Sequence, residues 1–296
     1  MQPSVSEAPE PLSDTFQNVL FGLVCLDIYT RTGDIRPGCG LLHNAYHLQQ
    51  LAAAPLLLTR LGQEQRDIFH QFFRRNQLTT LTDSLVAPGH SATIDIDIQP
   101  SGEAVITNFR LGVWSDFRLV PTEAEQLAQA KNIHTVLVEG FLTEFQRLNR
   151  QGQFKQAFVS ADFLSFRNFS PATFAEILPY INLGFIGWKG ELTDPTVRAI
   201  REVVQAHRCL LLLTLGERGI QVFDSRQPGD FRSPFFAVQP VPVQGNTNGC
   251  GDAFISYFLA EYWRSQDLEK AIEQGKIGGA RATAWNYALP DEAYQT

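Results

Sequence analysis

The residues of this chain best suited to chemistry lie in the segment QGNTNGCGDAF, residues 244–254. Gly245, Gly249 and Gly251 precede an apolar stretch of helical length. Backbone N–H groups at the start of a helix have no intrahelical partner, and the helix dipole adds positive potential there. Glycine lets such a turn adopt positive φ and approach a ligand closely. The pattern therefore predicts a pocket for a phosphate or for developing negative charge.

Asp252 is predicted at the mouth of this pocket, where the positive end of the helix favours its ionised form. An ionised carboxylate beside free N–H groups can accept the proton of an attacking hydroxyl while the N–H groups stabilise a transferred phosphoryl group. On the residues alone, an N-cap aspartate in a tight glycine turn explains the segment equally well. The chain contains neither G-x-x-x-x-G-K-[ST] nor G-x-G-x-x-G.

Other polar residues occupy the ends of apolar runs. Asp27 follows a strand pattern and is expected at its carboxyl end, where α/β sheets bind ligands. Asp162 follows another predicted strand and could face a phosphate site, and Asn44 lies early in a predicted helix. Local caps are the alternative for Asp27 and Asn44, and a plain tight turn is the alternative for TLGERG, residues 214–219.

The elements that must position these residues alternate between short apolar runs and amphipathic helical segments. This alternation predicts an α/β fold with a mostly parallel central sheet and helices on both faces. Residues 91–109 break the rhythm, because apolar and polar residues alternate on both sides of a P-S-G turn. They predict a β-hairpin, either at the edge of the main sheet or as a lid.

Bulk composition narrows the function classes. The 296 residues, 44% apolar and 19% charged, suffice for one large domain with a sizeable core. A net charge of −7 disfavours a nucleic-acid partner, and no apolar run is long enough to span a membrane. Four scattered cysteines suggest neither a zinc site nor a disulfide scaffold and fit a cytoplasmic protein. Residues 1–14 are not a secretory signal and are predicted to form a flexible tail.

Several motifs, in order, resemble those of the ribokinase-like (PfkB) family of sugar and nucleoside kinases. NTNGCGD at 246–252 resembles the family signature D-T-x-G-A-G-D, and GLVCLD at 22–27 resembles the G-x-x-x-x-D of the first strand. GCGLLHNA at 38–45 resembles the substrate loop G-G-x-x-x-N-x-A, and TLGERG matches the nucleotide-side turn T-L-G-x-x-G. The resemblance spans residues 19–288, nearly the whole chain.

The resemblance implies a ribokinase-like three-layer fold over residues 15–296, with a small β lid formed by the hairpin near 91–109. It implies an enzyme that phosphorylates a hydroxyl of a sugar or sugar derivative with ATP and Mg²⁺. Asp252 would be the general base. Gly249, Cys250 and Gly251 would supply the amides of an anion hole.

The resemblance also assigns the remaining roles. The substrate would be held by Asp27, Gly40 and Asn44. The nucleotide would lie along Thr214, Gly216, Gly219 and Asn246, with the last helix, near 278–288, bordering the adenine. Glu191 would organise Mg²⁺ through water, and Lys189 could approach the phosphates. A homodimer formed through the lid is also compatible with the resemblance.

Three positions depart from the family pattern. Asn246 replaces the first aspartate of the signature, which makes a monovalent cation site doubtful. Cys39 replaces a glycine of the substrate loop, and Trp188 stands where an N-x-x-E element would have asparagine. These departures support an alternative, a catalytically weak kinase-like protein that acts as a binding or regulatory partner. The scattered histidines are expected to be solvated or structural, and an oxidoreductase is disfavoured because no dinucleotide fingerprint follows the first strand.

Overall fold

The computed structural model describes residues 17–81 and 85–295, so the predicted tail at 1–14 lies outside the described residues. Its strands are β1 Asn18–Phe21, β2 Cys25–Tyr29, β3 Asp34–Gly38, β4 Leu56–Leu58, β5 Leu61–Gly62, β6 Thr79–Thr80, β7 Val86–Ala87, β8 Ala92–Ile98, β9 Ala104–Arg110, β10 Asn132–Val136, β11 Phe158–Asp162, β12 Leu183–Gly187, β13 Leu210–Thr214, β14 Ile220–Asp224 and β15 Phe235–Phe236. Its α-helices are α1 Gly40–Gln50, α2 Arg66–Arg75, α3 Pro121–Gln129, α4 Glu139–Arg150, α5 Pro171–Ile177, α6 Pro195–Ala206, α7 Cys250–Ser265 and α8 Leu268–Ala282.

A nine-stranded sheet forms the centre of the molecule, in the order β15-β14-β13-β12-β11-β10-β1-β4-β6. All neighbours from β6 to β13 are parallel, and only β14 and β15 run antiparallel. Consecutive residues of a strand point to opposite faces, and every residue of Leu210–Leu213 in β13 is completely buried. Both faces of the sheet are therefore covered, as a parallel sheet requires. The predicted α/β fold class is confirmed.

The predicted hairpin is present as β8 and β9, but it belongs to a larger unit. A second sheet of four strands has the order β3-β2-β8-β9, with β2 and β8 parallel. Asp27 lies in the middle of β2 and not at the carboxyl end of a central strand, which corrects the expectation. The chain leaves the central sheet at Gly22, whose φ of 146° few other residues adopt, and enters the second sheet at Cys25. We call this four-stranded sheet the lid.

The parallel strands bring their carboxyl ends to one edge of the central sheet. Helix α7 begins near the same edge, and α8 packs along α7, ending at Ala282. The final helix expected near 278–288 is therefore helical only in its first part. In the described part of the chain, no helix has the length and apolarity needed to cross a bilayer. All four cysteines are free thiols.

Candidate active site

A cleft of about 1060 Å³ lies between the lid and the carboxyl ends of β10–β13. Its lid wall is apolar and includes Ile94, Ile96 and Ile106. Its opposite wall carries the polar residues at the strand ends and the loop that leads into α7. The volume is at the upper end of the range of about 300–1,000 Å³ for small-molecule sites, so the cleft has room for two ligands.

Asp252 lies in the first turn of α7 and lines this cleft, with 16% of its side chain exposed. The N-cap residue, Gly249, has a φ of 78°. Within the described residues, the amides of Gly249 and Gly251 have no hydrogen-bond partner, so they are free to bind an anion. The amide of Cys250 donates a long bond of 3.4 Å to the carbonyl of Thr247 and does not line the cleft. Cys250 is therefore the weakest of the three predicted anion-hole donors.

Close approach explains the glycines of the loop. A Cβ at Gly249 would lie 2.3 Å from the carbonyl oxygen of Ala288, and one at Gly245 would lie 1.9 Å from that of Trp285. The loop is thus pressed against the segment that follows α8, and side chains there would push it out of place. Gly251 has open space around its Cα, because it faces the cleft.

Hydrogen bonds from behind fix the same loop. The Nδ2 of Asn246 donates to the carbonyl of Trp285 at 3.1 Å, and its Oδ1 accepts the amide of Asn248 at 2.7 Å. Asn246 is buried outside the cleft, which corrects the predicted position along the nucleotide. Tyr29 of the lid adds a second anchor, since its hydroxyl accepts bonds of 3.1 Å from Asn248 Nδ2 and from the amide of Ala288.

His43 joins the two aspartates of the site. Its Nδ1 donates to Asp252 Oδ2 at 2.7 Å, and its Nε2 lies 3.4 Å from Asp27 Oδ2. The second contact is an ion pair that is not aligned as a hydrogen bond, so Asp27 Oδ2 has no hydrogen-bond partner. Burial alone would lower the pKa of His43, but Asp252 and Asp27 outweigh it and raise this pKa to about 10. His43 is therefore a cation at neutral pH.

Asp162, at the end of β11, brings a third carboxyl group to the cleft. Burial, with a smaller contribution from the charge of Asp252, raises the pKa of Asp162 to about 7. This carboxyl group therefore changes its charge near neutral pH. Its Oδ1 accepts the amide of Leu164 at 2.8 Å, which fixes the start of the loop after β11.

The loop after β11 presents polar groups to the cleft. Leu164 and Phe166 have φ values of 54° and 62°, a region that non-glycine residues rarely adopt and that often marks functional sites. Their conformation brings Ser165 and Arg167 to the cleft wall. Arg167 is exposed and makes no ion pair or hydrogen bond within the described residues, so it is free to bind an anionic ligand.

The predicted substrate residues separate into two groups. Asp27 and Gly40 line the cleft, and a Cβ at Gly40 would lie 2.8 Å from Asp252 Oδ1. Asn44 is a correction, because it is completely buried behind the cleft. Its Nδ2 contacts His134 Nε2 at 3.1 Å and its Oδ1 accepts the hydroxyl of Ser256 at 2.8 Å, so the amide ties helices and sheet together.

The predicted nucleotide-side residues also separate. Thr214, at the end of β13, lines the cleft, whereas Gly216 and Gly219 form the turn beyond it and do not. Glu191 is a second correction, since its carboxylate is largely exposed outside the cleft and pairs with Arg218 at 3.3 Å. Lys189 lines the cleft and is paired with Glu103 of the lid turn.

Sequence reasoning missed His43, Arg167 and Tyr29. Arg167 could have been suspected because it follows Asp162 by five residues, in a loop after a predicted strand. His43 gave no local signal. Its partners lie 16 and 209 residues away, so its role depends on how α1 packs against β2 and α7.

Three buried histidines predict how stability depends on pH. His43, with its raised pKa, stabilises the fold fully below its unfolded value of 6.5, and this contribution is lost as pH rises toward about 10. Burial lowers the pKa of His47 and that of His134 to about 3, so both oppose unfolding less as pH falls below 6.5. Asp162, raised to about 7, partly offsets the acid side. We expect the melting temperature to be highest near pH 6–7.

Differential scanning calorimetry from pH 4 to pH 10 checks this expectation. His43→Gln should flatten the fall on the alkaline side, because the group that loses its proton there is gone. His90→Gln is the control, since the side chain of His90 is 69% exposed and lies on the surface. An unchanged alkaline slope in His43→Gln would show that His43 does not carry the charge we assign to it.

Comparisons with known proteins agree with this geometry. The pfkB family carbohydrate kinase model matches residues 185–284. Fructoselysine 6-kinase of Escherichia coli is 24% identical over 268 residues, which cover 89% of this chain and 96% of the relative. Ribokinase from Giardia lamblia superposes with a TM-score of 0.73 at 15% identity, covering 95% and 98% of the two chains. A probable sugar kinase from Rhizobium etli gives 0.75 at 18% identity, covering 95% and 97%.

Proposed function

Since the chain is a ribokinase-like carbohydrate kinase of the PfkB family, we propose that it transfers the γ-phosphoryl group of ATP to a hydroxyl of a sugar derivative. One observation carries the proposal: Asp252 faces the cleft beside the unbonded amides of Gly249 and Gly251, at the start of α7. A base for the hydroxyl proton and donors for the phosphoryl charge are thus next to each other.

The reaction follows from this arrangement. The acceptor hydroxyl gives its proton to Asp252 as its oxygen forms a bond to the γ-phosphorus, and the bond from that phosphorus to the bridging oxygen of ADP breaks. The free amides stabilise the negative charge on the transferred group. Arg167 and Lys189, the cations of the cleft walls, would bind the phosphates.

MgATP is the second substrate in this proposal. Mg²⁺ keeps several waters and binds through one or two carboxylates together with phosphates. The described residues contain no cluster of three His, Cys, Asp or Glu side chains suited to a resident metal. The free amides and Arg167 fit the phosphates, so the ion would be held mainly by the nucleotide, where it neutralises phosphate charge.

The acceptor would lie between Asp27 and the apolar wall of the lid. Asp27 has a buried carboxylate oxygen without a hydrogen-bond partner, and a sugar hydroxyl can donate to it. Ile94, Ile96 and Ile106 offer no hydrogen bonds, so they suit an apolar portion of a substituent. The similar fructoselysine 6-kinase is named for a sugar joined to an amino acid. A sugar with a substituent of that kind is the acceptor class we propose.

A panel of acceptors tests the proposal. We expect MgATP with fructoselysine to release ADP faster than MgATP with fructose, ribose, adenosine or no acceptor. Each ligand at about 100 times its Kd should also stabilise the protein by about 2.7 kcal/mol, which is visible as a thermal shift. Binding without turnover for every acceptor would contradict the proposal and favour the alternative of a binding or regulatory partner.

Two further expectations stay proposals. The edge of β9 is unpaired in the described chain and exposed along most of its length, so a second copy could pair with the lid there. Loop order around Asn246 is supplied by its own amide, which agrees with the doubt about a monovalent cation.

A further inference from the structure

We propose that His43 is a positioning residue, an imidazolium held between Asp252 and Asp27 that aims one oxygen of the base at the acceptor. The proposal rests on the phosphotransferase function given above. It extends that function by adding a residue that does not itself touch the reacting atoms. His43 lies in the first turn of α1, directly after the substrate loop.

The geometry leaves different tasks to the two oxygens of Asp252. Its Oδ2 accepts the bond of 2.7 Å from His43 Nδ1. Its Oδ1 points toward Gly40, where any Cβ would come within 2.8 Å of it. Gly40 lines the cleft, so Oδ1 is the oxygen that faces the site of the acceptor. A carboxylate bonded through one oxygen cannot rotate freely, and a fixed base contributes more to proton transfer.

Charge gives a second reason. Asp27, Asp162 and Asp252 are three carboxyl groups at one cleft, and the side chains of Asp27 and His43 are only 2–3% exposed. Like charges so close would hold a proton between them without a counter-charge. Among the described side chains that contact these carboxylates, His43 is the cation, because Arg167 and Lys189 lie in the outer wall and Lys189 is paired with the lid.

The other titratable groups that face His43 do not replace it. On α1, His47 is buried one turn further along, and burial with the nearby charge of His43 lowers its pKa to about 3, so it is neutral. On β2, the thiol of Cys25 contacts Asp27 Oδ1 at 3.5 Å, and burial raises the pKa of this thiol. Neither group supplies positive charge at neutral pH.

During transfer, His43 keeps both of its protons. The proton of the acceptor hydroxyl moves to Asp252 Oδ1 and then to solvent, and the electrons of the broken phosphorus–oxygen bond leave with ADP. The imidazolium favours the ionised form of the base before each turnover. A buried histidine that only fills space would not do this, and the pH dependence of the rate separates the two roles.

The first measurement is the protonation state of His43 in the intact chain. Protein labelled with ¹⁵N-histidine is titrated by NMR from pH 5.5 to pH 9.5, and the resonance is assigned by its loss in His43→Gln. We expect an imidazolium signal throughout, and a midpoint at least one pH unit lower in Asp252→Asn. A midpoint near the ordinary histidine value of 6.5 in the unsubstituted chain would overturn the proposal, whatever the variants do.

The second measurement is the pH profile of kcat/KM with fructoselysine and MgATP. His43→Gln keeps a hydrogen-bond donor without the charge, and His43→Leu keeps neither. We expect the acid limb to move up by at least about one pH unit in both variants, since an opposite charge shifts a carboxyl by about one to three units. At pH 6 this shift lowers the rate about tenfold or more. His47→Gln, a buried histidine on the same helix, should leave the limb in place.

The outcomes are distinguishable. If fructoselysine and the other acceptors give no turnover in the unsubstituted chain, the proposed function fails, and the NMR titration still decides whether Asp252 holds His43 as a cation. If turnover is present and both folded His43 variants keep the acid limb of the unsubstituted chain, the positioning role is wrong and the kinase function stands. If only the Gln variant behaves normally, a donor suffices and the charge does not matter, which also overturns the proposal.

Discussion

Asp252→Asn should lower kcat by about 10²–10⁴-fold while MgATP still binds, because an amide cannot accept the proton of the acceptor hydroxyl. The substitution keeps the shape of the side chain at the start of α7. It leaves the amides of Gly249 and Gly251 unchanged, so the phosphate site survives. Initial rates of ADP release and a calorimetric titration with MgATP measure the two effects separately.

Asp267→Asn is the matched control for this variant. Asp267 is the N-cap of α8, where its side chain accepts the amide of Lys270, and asparagine caps a helix about as well as aspartate. Neither rate nor stability should change there. A wild-type rate in Asp252→Asn would remove Asp252 from the role of general base, and loss of MgATP binding would mean that the substitution disturbs the loop itself.

Gly249→Ala is the second variant with a large expected effect. The φ of 78° disfavours any side chain by about 1–2 kcal/mol, and the new Cβ would lie 2.3 Å from the carbonyl oxygen of Ala288. The loop must move to relieve that contact, which displaces the amides that face the cleft. We expect the melting temperature to fall by about 4–8 °C and kcat to fall by about 10²-fold or more, as for loss of an oxyanion donor.

Gly33→Ala separates the two causes. Gly33 has the same φ of 78°, but nothing lies within 4 Å of the position of its Cβ. Its substitution should therefore show only the backbone cost and leave kcat unchanged. If both variants lose the same stability and neither loses activity, the contact with Ala288 does not hold the anion loop in place.

Local patterns foretold much of the candidate site. The glycines of residues 244–254, the aspartate that follows them and the apolar helix are neighbours in sequence, so their geometry follows from helix-terminus physics. The resemblance to PfkB kinases then gave Asp27 and Gly40 their place in the cleft, which the structure bears out. Asn44, Asn246 and Glu191 were assigned by the same resemblance and lie outside the cleft lining.

These three corrections have a common physical cause. A motif names a residue type at a position, but the partner of a polar side chain depends on what packs against it. Asn44 meets Ser256 of α7, Asn246 meets the carbonyl of Trp285, and Glu191 meets Arg218. Each polar group found a partner within the protein, because leaving it buried or unpaired would cost free energy.

By itself, the sequence determined the α/β class, the lid hairpin and the anion loop, because periodicity, glycine and helix termini act over a few residues. Only the tertiary structure decided that the lid has four strands and that His43 lies between Asp27 and Asp252. Protonation of a buried histidine depends on burial and on nearby charges. Those are properties of the packed site, where residues 209 positions apart come within 2.7 Å of each other.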